Sequence, residues 1–121
     1  MYNAQVRLHF DAAHFLRGYK GKCEQLHGQR FKVAVTIETQ RLDDIGMSVD
    51  FGIVKSALKE VIDPLDHNNL NTIHPFDTIN PSSENLASYI FNRIKSKLSP
   101  IRLKRVKVWE SPDSWASFSE K

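Results

Sequence analysis

The chain has 121 residues, of which 40% are hydrophobic and 26% charged. That is the composition of one globular domain, residues 1–121, with little interior to spare for a deep private active site. Its 17 Lys and Arg against 14 Asp and Glu give a formal charge of +3, too mild to demand nucleic acid. Arg41, Lys55, Lys59, Lys95 and Lys97 are scattered. Only Arg102, Lys104, Arg105 and Lys107 cluster, and strand alternation is expected to divide those four between faces. A single cysteine forbids an internal disulfide, no apolar run approaches the roughly 20 residues of a membrane span, and Met1-Tyr2-Asn3 opens no signal peptide. The expectation is a reduced, cytoplasmic protein with no membrane partner.

Residues 4–14 alternate, with Val6, Leu8 and Phe10 on one side and Gln5, Arg7 and His9 on the other, which predicts a half-buried strand. Residues 15–26 hold Gly18, Gly21 and several charges and read as a loop. Residues 27–40 alternate again through Phe31, Val33, Val35 and Ile37, and Asp43, Asp44 and Gly46 mark a turn. Asp50 is placed to cap a helix carrying Phe51, Val54, Leu58, Val61, Ile62 and Leu65 on one stripe, ended by Pro64. Residues 66–82 form a long loop. Ser82 or Ser83 then caps a second helix with Leu86, Ala87, Ile90, Phe91, Ile94 and Leu98 at helical spacing, stopped by Pro100. Strands follow at 102–110 and about 114–119, split by Ser111-Pro112-Asp113. The order β-β-α-α-β-β predicts an α+β domain, an antiparallel sheet with both helices on one face. The edges of such a sheet invite partners, so a homo-oligomer is expected.

His14 ends the first strand on the parity of Val6 and Phe10. His27 and Gln29 open the second strand two residues apart and share a face. If the strands pair, the three converge at one end of the sheet, and a His-x-His pair with a distant His is a catalytic zinc arrangement with an open position. Here Gln29 stands third, and its amide oxygen is a weaker, harder donor than imidazole. Two histidines satisfied by backbone hydrogen bonds are the alternative. Cys23 lies four residues before His27, beside Lys20 and Lys22, whose charge favours a thiolate. Asp66-His67 offers a carboxylate to tune an imidazole for proton transfer. Glu110 follows Val106 and Val108 in parity, so an inward carboxylate needs a donor; an outward, solvated one is the alternative.

Taken together, these pieces resemble one family. Phe10-Asp-Ala-Ala-His14, Cys23-Glu-Gln-Leu-His27-Gly28, Gly46-Met-Ser-Val-Asp50-Phe51, Leu65-Asp66-His67-Asn-Asn-Leu70-Asn71, Asn80-Pro81-Ser-Ser-Glu84-Asn85 and Val108-Trp109-Glu110-Ser111 are similar, in order and spacing, to the motifs of the 6-pyruvoyltetrahydropterin and 6-carboxytetrahydropterin synthases. The compact length resembles the bacterial and archaeal 6-carboxytetrahydropterin synthases of 7-deazaguanine (queuosine) biosynthesis. The resemblance implies the tunnelling (T-) fold, whose protomers join sheets into a barrel, commonly a homohexamer with active sites at subunit interfaces. It implies a lyase acting on 7,8-dihydroneopterin triphosphate with Zn2+ as cofactor. It matches His14 and His27 to metal ligands, Cys23 to the catalytic thiol, Asp66 and His67 to its relay partners, and Glu110 to the carboxylate that grips the pterin. Gln29 departs from the family's His-Gly-His. The sequence does not separate the carboxy from the pyruvoyl product, so 6-pyruvoyltetrahydropterin synthase activity is one alternative, and the Gln29 departure makes a silent pterin-binding paralogue another.

Overall fold

The computed structural model describes residues 1–121, the Cys23 side chain excepted. Strand β1 (Tyr2–His14) pairs antiparallel with β2 (His27–Thr39), helices α1 (Phe51–Ile62) and α2 (Ser83–Leu98) follow, and β3 (Arg102–Ser111) and β4 (Ser114–Phe118) complete a sheet of order β1-β2-β3-β4. This is the expected β-β-α-α-β-β antiparallel sheet with both helices on one face. Two short 3-10 turns, Lys22–Glu24 and Leu70–Thr72, interrupt the loops.

Alternation explains the layering. Val6, Phe10, Phe31, Val33, Val35, Ile37, Val106 and Val108 turn one face of the sheet into the core, against Val54, Leu58, Val61 and Ile62 of α1 and Leu86, Ile90, Phe91, Ile94 and Leu98 of α2. Asp50 caps α1 by accepting from the Gly52 amide, and Ser82 caps α2 by accepting from the Asn85 amide. Phe51 does not join the buried stripe; it is half exposed. It stands at the first position of α1, where a side chain leans back toward the helix N-terminus.

The cluster of Arg102, Lys104, Arg105 and Lys107 is also not divided as strand alternation predicts. The β2–β3 register slips between Thr36 and Ile37, so Arg105 pairs with Thr36, Leu103 with Ile37 and Arg102 with Glu38. Lys104 is the extra residue of this bulge, which carries Arg102 to the outer, helix-free face with Arg105 and Lys107. Beyond the bulge Val106 and Val108 face the core, and a second register shift, between β3 and β4, falls at Glu110, between Trp109 and Ser111.

Candidate active site

The site grows from the end of the sheet where β1 stops and β2 begins. The register sets His14 opposite His27 and Ala12 opposite Gln29, so His14, His27 and Gln29 share the core-facing side. The His14 and His27 rings lie 4.6 Å apart, edge to face. His14 is buried, 2% exposed, with Phe31 packed edge-on at 5.0 Å.

Hydrogen bonds fix which nitrogen of each ring carries the proton. His14 Nδ1 lies 3.0 Å from the Pro81 carbonyl, and His27 Nδ1 lies 2.7 Å from the Gln25 carbonyl. A carbonyl only accepts, so each Nδ1 carries an N–H and each Nε2 is the ring nitrogen left to face the site. Burial holds the His14 imidazole below the ordinary histidine range; the Pro81 carbonyl and Glu110 oppose this, and nearby His27 adds to it. His14 is therefore neutral at physiological pH, the form that binds metal.

Gln29 reaches the other way: its side-chain N–H donates to the backbone carbonyl of Glu110. Only the nitrogen end of an amide can face a carbonyl oxygen, so the Gln29 oxygen is left as its free acceptor. Two imidazole lone pairs and an amide oxygen fit a divalent metal, with a harder third donor than imidazole. Among the described residues, no group of three His, Cys, Asp and Glu side chains stands ready to hold a metal. The set depends on Gln29.

Glu110 faces inward from β3, where the Ser83 hydroxyl, at the first turn of α2, donates to its Oε2 at 3.2 Å. Gln29, Arg30, Lys32, Trp109, Glu110 and Ser111 border a cavity of about 280 Å³ at this end of the sheet.

Asp66 and His67 occupy a different side of the sheet. Asp66 Oδ1 accepts the Asp11 amide at 2.9 Å, the His67 amide donates to the Asp11 carbonyl at 2.6 Å and the Ala13 amide donates to the Asn68 carbonyl at 2.9 Å. The loop thus zips onto the edge of β1. The Asp11 amide holds the Asp66 carboxyl below its usual range, with help from His67. Asp66 Oδ2 lies 3.0 Å from His67 Nδ1, so the carboxylate orients the ring and leaves Nε2 outward. His67 adopts φ 58°, a left-handed conformation that these flanking bonds sustain. Its exposed ring borders a cavity of about 550 Å³ with Asp11, Gly28 and Arg30 on the outer face. Asp11 there is tied to Arg30 at 2.8 Å, which lowers the Asp11 carboxyl and raises the Arg30 guanidinium.

Within one protomer, His14, His27, Gln29 and Glu110 come together, and the Asp66–His67 pair forms, but the two groups lie on opposite faces of the sheet. The Cys23 thiol lies outside the described residues; its backbone is in the Lys22–Glu24 turn. Pro81 and Ser83 escaped the sequence reading, the first because only its backbone carbonyl acts, the second because a helix-start serine reads as a cap.

The chain and its fold are similar to known proteins. The profile described as 6-pyruvoyl tetrahydropterin synthase matches residues 3–121. A 6-carboxy-5,6,7,8-tetrahydropterin synthase of Haemophilus influenzae is 30% identical, covering 99% of this chain and 100% of its own length. A dihydroneopterin monophosphate aldolase of Pyrococcus furiosus is 37% identical over 86% of this chain and 85% of its own. The solved 6-pyruvoyl tetrahydropterin synthase of Caenorhabditis elegans superposes with a TM-score of 0.90 at 27% identity, covering 99% of this chain and 96% of that one. The chain belongs to the 6-pyruvoyl tetrahydropterin synthase family.

Proposed function

We propose that this protein is a lyase converting 7,8-dihydroneopterin triphosphate and water to 6-carboxy-5,6,7,8-tetrahydropterin, acetaldehyde and triphosphate. The ring gains two hydrogens while the side-chain carbon attached to it is oxidised to carboxylate, so the step balances without an external oxidant or reductant. The observation that carries this reading is the pair of imidazoles of His14 and His27, each with Nδ1 held by a backbone carbonyl, beside the inward carboxylate of Glu110. The several curated relatives named as 6-carboxy-5,6,7,8-tetrahydropterin synthases support the carboxy product.

His14, His27 and Gln29 would hold Zn2+, and the chemistry it supplies when bound is Lewis-acid polarisation of the substrate's side-chain oxygens, which acidifies neighbouring C–H bonds. Glu110 accepts from the amino and ring N–H groups of the pterin, a two-point match of acceptor to donors. The Cys23 thiolate removes a side-chain proton. His67 Nε2 relays it, with the Asp66 carboxylate stabilising the imidazolium. The opposite-face placement of the metal set and the relay fits an active site completed between subunits of a homohexameric T-fold barrel. A cytoplasmic setting and a place in 7-deazaguanine (queuosine) biosynthesis go with this reading.

Replacing the thiol tests it. Cys23→Ala and Cys23→Ser should lower turnover by at least about a hundredfold, the low end for a general base, while pterin binding survives. An alanine variant working within a few-fold of the parent would remove Cys23 from the chemistry.

A further inference from the structure

We propose that Asn80 is a positioning residue for the metal site: it clamps the segment before α2 so that the Pro81 carbonyl stays against His14 Nδ1. The inference rests on His14 being a ligand, as read above.

The clamp is a two-bond amide pairing. Asn80 Oδ1 accepts the Arg17 amide at 2.8 Å, and Asn80 Nδ2 donates to the Arg17 carbonyl at 3.0 Å. The side chain thus imitates a strand partner for the chain just beyond β1. On its other flank, the Asn80 carbonyl accepts Asn85 Nδ2 at 2.8 Å, tying the same peptide to the first turn of α2. Residue 80 is held from both sides, and the next carbonyl along the chain is the one that meets His14.

That carbonyl matters because of where it is. His14 is buried and so is Pro81, so a displaced carbonyl leaves the Nδ1–H without a partner, and a buried unpaired donor is costly. The ring would turn to find another acceptor and withdraw Nε2 from the side it shares with His27. Partners that orient a metal-binding imidazole change affinity by about tenfold to a hundredfold when removed. Two residues further on, the Ser83 hydroxyl donates to the Glu110 carboxylate. One four-residue segment therefore reaches both the histidine side and the pterin side, and Asn80 is its anchor.

The test compares Asn80→Ala with the parent and with Ile94→Val, a core change in α2 away from the site that also lowers thermal stability. Zinc affinity is read by chelator competition, and the imidazole N–H signals of the metal-free protein by nitrogen-15 NMR. Asn80→Ala should bind zinc about tenfold more weakly and lose the slowly exchanging His14 Nδ1–H signal, while Ile94→Val keeps both. Parent-like zinc affinity and an intact His14 signal in Asn80→Ala would overturn the proposal. Equal losses in Ile94→Val would overturn it too, since general destabilisation would then suffice. If the parent itself binds no zinc, the metal reading fails separately, and the His14 signal alone decides the role of Asn80. Should Asn80→Ala not fold, Asn80→Asp keeps the bond from the Arg17 amide and opposes the Arg17 carbonyl with an acceptor. It should show a partial loss of both readouts, and parent-like values would refute the clamp.

Discussion

At Gln29 the two ends of one amide have different work. Its N–H is committed to the Glu110 carbonyl, and its oxygen is left as a free acceptor. An amide oxygen is a poorer zinc donor than a histidine nitrogen. Gln29→His should therefore tighten zinc binding by at least about tenfold, of the size seen when even outer partners of a ligand are changed, and raise turnover. A chelator competition on both proteins checks the first and an activity assay the second. Equal affinity and equal turnover would place Gln29 away from the metal. That these residues share a face was legible in the sequence, because a period of two is enough to align His27 with Gln29 and, through pairing, with His14. The acceptors that orient the rings were not legible. Pro81 lies 67 residues from His14 in sequence, and a backbone carbonyl has no signature in side-chain periodicity.

At the scale of elements, strand parity delivers Glu110. The bulge at Lys104 sits upstream of Val106, so Val106 and Val108 keep the core face, and Glu110, at a second register shift between Trp109 and Ser111, still turns its carboxylate toward α2. There it meets Ser83 rather than water alone. Glu110→Ala should chiefly weaken pterin binding, by about tenfold to a hundredfold, the worth of a charge-assisted hydrogen bond; titration calorimetry with a pterin reads it directly. Unchanged affinity would return Glu110 to the solvated alternative. The helices were legible because their apolar stripes, Val54 to Ile62 and Leu86 to Leu98, are long and their caps explicit. The bulge was not legible, since one inserted residue leaves no mark in composition yet sends Arg102 to the face of Arg105 and Lys107. Nor was the zipper of residues 66–68 onto the edge of β1, which is made of backbone bonds and the Asp66 carboxylate.

Over the whole molecule, the sheet ends in two edges. β1 is covered by the 66–69 loop only at its C-terminal part, and the five-residue β4 is the other edge. Ile45, Phe51 and Ile53 add exposed apolar surface around the start of α1. Open edges, uncovered apolar side chains and a relay on the opposite face from the histidines all favour assembly. Sedimentation at micromolar concentration should show a hexamer; a lone monomer would contradict an active site shared between subunits. The central claim is the reaction itself, and the most direct measurement is product identity. The purified protein, stripped of metal and then given zinc, is incubated with 7,8-dihydroneopterin triphosphate and its products are resolved by mass spectrometry. The account predicts 6-carboxy-5,6,7,8-tetrahydropterin and acetaldehyde in equal amounts, dependent on zinc. Formation of 6-pyruvoyltetrahydropterin, carbon–carbon cleavage to a hydroxymethyl pterin and a phosphorylated two-carbon aldehyde, or binding with no turnover at all would contradict it.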